Sequence, residues 1–320
     1  MTRRVAAIDC GTNSVRLLIA DIAHDSLHDV ERRMEIVRLG QGVDETGRLA
    51  PEALDRTFTA MRGYAALIER HGAVAVRVVA TSATRDAANR QDFTDGVREI
   101  FGVEPEVVSG AEEADLSFAG ATREFGRLSP ETGLPTPDGT RPPYLVVDIG
   151  GGSTEFVVGS THVDAGLSVD IGCVRLSERH LRGAGDPPGA EAVEAMTADI
   201  DDALDRVPQE VPVERALTLV GLAGSVTTVA GIALDLDEYD PHKIHHSRIA
   251  ANEVHAVSRR LLEMSHAERA AMGVMHPGRV DVIGAGALIL DRVVRRYGFA
   301  EVVVSERDIL DGIAWSIAKA

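Results

Sequence analysis

The sequence predicts an α/β protein of two related lobes, and three observations carry that prediction. Short apolar, β-branched runs alternate with helix-length amphipathic segments along most of the chain. A strand–aspartate–turn–strand unit occurs twice, at residues 5–20 and again at 144–158. Between the copies, residues 126–143 break the pattern with Gly126, Gly133, Gly139, Pro130, Pro135, Pro137, Pro142 and Pro143, as a surface connection would. The expected lobes are residues 1–125 and 126–320, with a last helix at about 306–320 packing back on the first lobe and glycine turns facing a cleft.

The second copy of the unit is the clearer one. Tyr144 to Val147 is apolar and β-rich, so it reads as a buried strand. Asp148 follows where an apolar strand has no structural use for a charge. Gly150, Gly151 and Gly152 let the backbone turn sharply without Cβ interference, Ser153 and Thr154 add hydroxyls, and Glu155 to Val158 resumes a strand. The first copy runs from Val5 into Asp9, then Gly11, Thr12, Asn13 and Ser14, then Val15 to Ala20. A carboxylate beside a turn of backbone N–H groups is suited to an anion and its metal ion.

In chain order, Pro51 marks a helix start, and Leu54, Phe58, Met61, Ala65 and Ile68 form one face of a helix that stops at Gly72. Residues 74–80 are expected to be a buried strand, ending in a turn that carries Thr81, Ser82, Thr84 and Arg85. A helix is expected at 92–101 and a strand at 106–109. Ser109-Gly-Ala-Glu112 fits a capping box, with Ser109 as N-cap of a helix reaching about Phe125. After the second hairpin come a strand at 162–168 and helices at 174–181 and 190–207. Residues 216–220 form a strand running into a third glycine turn with Gly224 and Ser225. Residues 239–246 are a polar loop, helices follow at 251–264, 267–272 and 280–297, and a strand at 301–304 and a helix at 308–317 close the chain.

The 320 residues suffice for two ordinary domains, and a formal charge of −17 argues against nucleic-acid or membrane partners. No apolar run approaches a membrane span, and the short N-terminal apolar run meets Asp9 too soon for a signal peptide. Cys10 and Cys173 read as buried thiols rather than a disulfide framework. The expected location is cytoplasmic.

Ile8-Asp-Cys-Gly-Thr-Asn-Ser14, Val108-Ser-Gly-Ala-Glu-Glu-Ala114 and Val147-Asp-Ile-Gly-Gly-Gly-Ser-Thr-Glu155 resemble the exopolyphosphatase / guanosine pentaphosphate phosphohydrolase (Ppx/GppA) family. The likeness extends to residues 81–86, 221–228, 276–289 and 304–312. Cys10 and Thr12 stand where leucine and serine are commoner, and Asp115 where arginine is usual. The resemblance implies a two-lobed actin-like fold, shared with acetate kinase, sugar kinases, heat-shock chaperones and actin, of the short type without a C-terminal helical extension. It implies exopolyphosphatase activity, the hydrolysis of the terminal phosphoanhydride of inorganic polyphosphate. Guanosine pentaphosphate 5′-phosphohydrolysis is the nearest alternative, and a non-catalytic alarmone-binding protein the alternative of another class. The family's catalytic base aligns with Glu113 and its phosphate-clamping arginine with Arg85.

The chemistry assigns further roles. Amides of Gly11, Thr12, Asn13, Ser14, Gly150, Gly151, Gly152 and Ser153 would cradle the last phosphates from opposite lobes, joined by the turn of Gly224 and Ser225. Asp148, with Asp9 and Glu155, would hold Mg²⁺ or a similar divalent cation such as Mn²⁺. The resemblance implies a basic channel for the polyanion, in which Lys243 and Arg279 are candidate contacts to distal phosphates; with Lys243 and Lys319 the only lysines, arginine carries that task. His242, His245 and His246 form a weakly spaced candidate metal loop. Guanosine penta- and tetraphosphate are candidate further ligands, and a homodimer is a candidate assembly.

Overall fold

Strand β1 (Arg3–Cys10) is buried from Val5 to Cys10, on both faces, which is why it reads as an unbroken apolar run rather than an alternating one. The two-residue period sorts its side chains between two cores. Ala6, Ile8 and Cys10 pack with Leu17, Leu54, Met61, Phe93 and Val97, and Val5 and Ala7 with Leu18, Ala20, Ile313 and Ala314. The structure, a computed structural model, describes residues 2–24, 26–125, 127–128, 135–136 and 139–319. Most of the Pro/Gly-rich connection expected at 126–143 lies outside the described residues.

The chain divides into two compact units, Met1–Gly120 with Ile309–Ala320, and Ala121–Asp308. In the first, β2 (Ser14–Ala23), β3 (Ser26–Ile36), helix α1 (Pro51–His71), β4 (Ala75–Ala80), helix α2 (Arg90–Phe101), β5 (Glu106–Val107) and helix α3 (Gly110–Thr122) follow β1. The sheet order is β3-β2-β1-β4-β5, antiparallel across the first three strands and parallel from β1 onward. Proline at the first helical position opens α1, and Gly72, at φ 68, closes it by donating its N–H to the Ile68 carbonyl at 3.0 Å.

The second unit repeats this plan. It contains β6 (Tyr144–Ile149), β7 (Thr154–Gly159), β8 (Val163–Val169), α4 (Ala190–Leu204), β9 (Thr218–Leu222), α5 (Ala223–Ala233), β10 (Arg248–Ala250), α6 (Ala251–Glu263), α7 (Ile283–Tyr297) and β11 (Glu301–Val304). The order is β8-β7-β6-β9-β11-β10. The first five strands have the same senses as the first sheet, and β10 adds an antiparallel edge. The final helix, α8 (Ile309–Lys319), belongs to the first unit, where Ile309, Leu310, Ile313 and Ala314 cover one face of its sheet. Among the described residues no helix is long and apolar enough to cross a membrane.

Three details differ from the sequence reading. Strand β3 was not expected; at the sheet edge and half exposed, it carries many charged residues, which hide its pattern. Val74 lies outside β4 and is 72% exposed, although its N–H donates to the Arg4 carbonyl at 3.0 Å. Residues 239–246 include a short helix, Pro241–Ile244, capped by Asp240, whose carboxylate accepts from the His242 and Lys243 amides.

Ile313 is fully buried between α8 and the first sheet. Ile313→Ala is therefore expected to cost about 2–5 kcal/mol of unfolding free energy. Denaturant titration checks this, and a loss under about 1 kcal/mol would mean that α8 is not part of that core.

Candidate active site

The residues singled out in the sequence lie just beyond the carboxyl ends of the parallel strands, where ligands of open α/β sheets bind. In the first unit, Cys10 and Val107 both pair with Ala80. The turn at 11–14, the segment after Ala80 that holds Arg85, and the start of α3 with Glu113 therefore leave the sheet at one end. In the second unit, Leu222 pairs with Asp148 and Val304 with Gly221. The turn at 150–153, the start of α5 (where Gly224 and Ser225, expected in a glycine turn, lie within the helix) and the segment from Ser305 to Asp308 share an end in the same way.

The two hairpin turns are built alike. Gly11 donates its N–H to the Ser14 carbonyl at 3.0 Å, and Gly150 donates to the Ser153 carbonyl at 3.0 Å. In each, the carbonyls inside the turn are held from behind. The Thr12 carbonyl accepts from Gly40 N–H at 2.8 Å, and the Asn13 carbonyl from Val37 and Arg38 at 3.1 and 2.9 Å. The Gly150 carbonyl accepts from Cys173 N–H at 3.0 Å, and the Gly151 carbonyl from Val174 and Arg175 at 2.9 and 3.1 Å. The Gly152 carbonyl accepts from Arg175 Nε at 2.7 Å. A trans peptide is planar, so C=O of one residue and N–H of the next point in opposite directions. The amides of Asn13, Ser14, Gly151, Gly152 and Ser153 are thereby turned away from their anchors. Such approach needs glycine behind the turn: a Cβ on Gly172 would collide with the Gly151 carbonyl, and one on Gly40 with the Thr12 methyl.

The acids beside the turns differ in their cross-strand partners. Asp9 is buried and pairs in register with Arg16, whose Nη2 and Nε donate to Asp9 Oδ2 at 2.6 and 2.9 Å. Asp148 is buried and lies directly opposite Glu155, which accepts from Ser168 Oγ at 2.7 Å. Like charges opposite each other across strands are unfavourable, and a hard divalent cation with oxygen ligands is the group that suits such a pair. Asp9, by contrast, has its charge matched by a guanidinium.

At the head of α3 the neighbouring glutamates separate. Glu112 Oε2 accepts from Ser109 N–H at 2.9 Å and Ser109 Oγ at 3.0 Å, while Glu112 N–H donates to Ser109 Oγ at 3.2 Å. The capping box is complete, and the backbone hydrogen bond from Ser109 leads in holding the Glu112 carboxyl below its ordinary range. Glu113 is 8% exposed. Its Oε2 accepts from Arg85 Nη1 at 3.0 Å, and the same nitrogen donates to the Val108 carbonyl at 3.1 Å.

At the start of α5, Arg279 Nη1 donates to the Gly224 carbonyl at 2.8 Å and to Thr228 Oγ1 at 3.3 Å. The guanidinium occupies the space a Cβ on Gly224 would need. Ser225 is buried, against Gly286. Arg279 thus joins the set of Gly224 and Ser225, whereas Lys243 is exposed, 3.6 Å from Asp240 of its own short helix.

Of the histidine loop, His245 and His246 group with Glu124, with candidate ligand atoms within 4.8 Å of one another; His242 is not among them. His245 Nε2 lies 3.3 Å from Glu124 Oε2, and its Nδ1 accepts from Glu306 N–H at 3.1 Å. An acceptor at Nδ1 leaves the ring proton on Nε2, pointed at the carboxylate. A metal-ligating histidine needs the reverse, a donor at its second nitrogen, so the cluster fits a hydrogen-bonded tie better than a metal centre. Burial pushes His246 down to about 4.

Arg16, Arg175, Gly40 and Gly172 were not singled out in the sequence. The available signal was a charge within an apolar run, at Arg16 in residues 15–20 and at Arg175 in residues 171–176; only pairing across the fold gives it meaning.

Over 98% of both chains, the protein is 48% identical to exopolyphosphatase 2 of Mycobacterium tuberculosis. A crystal structure of an exopolyphosphatase-like protein superposes with a TM-score of 0.91 at 41% identity, covering 99% of each chain. The Ppx/GppA enzyme of Aquifex aeolicus does so with a TM-score of 0.79 at 30% identity, over 99% of this chain and 100% of that one. The α/β class expected from the sequence is the class of this fold, with two mixed sheets built on the same plan. The model of the Ppx/GppA phosphatase family matches residues 18–320, and the chain belongs to that family.

Proposed function

We propose that this protein is a cytoplasmic exopolyphosphatase, which hydrolyses the terminal phosphoanhydride of inorganic polyphosphate with Glu113 as general base. The observation that carries the reading is the division of labour at the head of α3. Glu112 closes the cap, whereas Glu113, buried, accepts from Arg85 Nη1. The name of the Mycobacterium tuberculosis relative, matched end to end, supports the substrate.

Each residue has a defined task in this reaction. Held by Arg85 at Oε2, the Glu113 carboxylate takes the proton from the attacking water. Arg85 fixes that base through Nη1 and has further N–H groups for a phosphoryl oxygen. In the first unit the amides of Asn13 and Ser14, and in the second those of Gly151, Gly152 and Ser153, are turned away from anchored carbonyls and suit phosphate oxygens. Arg279, seated on Gly224, adds positive charge at the start of α5. Asp148 and Glu155 are the pair suited to hold Mg²⁺, with Asp9 held by Arg16 as the lesser candidate. Bound there, the cation would neutralise phosphate charge. Lys243, being exposed, is available to distal phosphates of a longer chain.

Two measurements test the catalytic assignment. Glu113→Gln is expected to lower turnover by roughly 10²–10⁴, the usual contribution of a positioned base, while substrate binding survives on the amides and arginines. Near-normal turnover would remove Glu113 from the mechanism. Glu112→Ala is expected to spare much of the turnover and to cost about 0.5–2 kcal/mol of stability, as lost caps do. Glu112 titrates below its ordinary 4.5 when folded, so its contribution is full above that pH and disappears as pH falls through the lowered folded value. Melting curves of both proteins should therefore converge in acid, and a gap unchanged from pH 7 to 2.5 would contradict the cap.

Phosphate release from polyphosphate and from guanosine pentaphosphate, side by side with Mg²⁺ titrated, tests substrate and cofactor together. The expected result is faster release from polyphosphate, dependence on the divalent cation, and severe loss in Asp148→Asn. Faster release from the nucleotide would reverse the substrate ranking, and full activity in excess chelator would discard the cation.

A further inference from the structure

The glycine turn at 150–153 is held by a segment about twenty residues further along the chain. Three of the hydrogen bonds come from main-chain N–H groups of Cys173, Val174 and Arg175 and do not depend on side-chain identity. The fourth does. The Gly152 carbonyl accepts from Arg175 Nε at 2.7 Å, so the orientation of the peptide joining Gly152 to Ser153 rests on one side chain. That peptide follows three glycines, whose backbone rotates with little steric resistance. Without the anchor it can turn over, and a turned peptide would present a carbonyl oxygen where the Ser153 N–H now stands.

We propose that Arg175 is a positioning residue: its Nε–H holds the Gly152 carbonyl back and so presents the Ser153 amide to the phosphoryl group under attack. The proposal rests on the polyphosphatase reading above. It concerns geometry, not charge, because the nitrogen that makes the contact is the one nearest the aliphatic stem. Arg175 is half-buried, in a segment whose neighbours Val174 and Leu176 are buried, which keeps its stem in one place. An N–H aimed at developing charge strengthens its bond in the transition state, so its loss acts on kcat more than on KM.

Three substitutions separate position from charge. Arg175→Gln keeps an N–H donor the same number of bonds from the backbone as Nε and removes the charge. Arg175→Lys keeps the charge and moves the nitrogen one bond outward. Arg175→Met keeps only the stem. Melting temperature, and kcat and KM on a polyphosphate of defined length, are measured for each. We expect kcat of the Lys and Met variants to fall by about 10–100-fold, somewhat less than outright removal of an oxyanion donor. KM should change by less than about threefold and the melting temperature by only a few degrees, with kcat of Arg175→Gln within about fivefold of the wild type. A Lys variant near wild type with an impaired Gln variant would overturn the proposal in favour of a charge effect. Three variants within threefold of the wild type, or losses that simply follow the melting temperature, would overturn it as well. A wild-type protein that releases no phosphate from polyphosphate would overturn the functional reading itself, and an active wild type with the wrong ranking of variants overturns the Arg175 assignment alone.

Discussion

In each unit the candidate phosphate-binding turn depends on one constraint, the planarity of the peptide bond. Once a carbonyl is hydrogen-bonded from behind, the N–H of the next residue has no choice of direction. The first unit applies this with the amides of Val37, Arg38 and Gly40, the second with those of Cys173, Val174 and Arg175 and the Arg175 side chain. Different segments thus do the same work in two sheets of the same strand order. The cost is a close approach that only glycine permits, at Gly40 in one case and Gly172 in the other.

The two copies have diverged where chemistry differs. The position opposite the strand-end aspartate is Arg16 in the first hairpin and Glu155 in the second. The cross-strand partner of the aspartate is thus a guanidinium in one hairpin and a second carboxyl group in the other. That contrast in cross-strand partner is why Asp148 rather than Asp9 leads the proposed metal set. Glu112 and Glu113 show a similar separation within one helix turn, where adjacent positions face about 100° apart and only one can close the cap.

Much of this was legible in the sequence because it is local. The helix from Pro51 to Gly72, the strand–aspartate–glycine units and the Ser109–Glu112 box are each written in consecutive residues. Strand β3 was not legible: its alternation is blurred by charges suited to a sheet edge. Arg16 and Arg175 were missed because their partners are fixed by register and by a long-range contact, neither of which spacing reveals. Arg279 was noted as a basic residue, but its seat on Gly224 follows from a carbonyl and a missing Cβ fifty-five residues away. The histidine loop was a weak metal candidate by residue type, and the structure adds that His245 Nδ1 accepts from the Glu306 amide.

The central claim is that the anchored turns present their amides to phosphate. Amide ¹H–¹⁵N spectra of the isotope-labelled protein, titrated with inorganic phosphate, test it directly. The account predicts downfield proton shifts at Asn13, Ser14, Gly151, Gly152 and Ser153. The anchoring amides of Gly40, Val174 and Arg175, which already donate to carbonyls, should shift far less. Shifts confined to the anchors, or an absence of shifts at the five turn amides at phosphate concentrations that inhibit the enzyme, would contradict it.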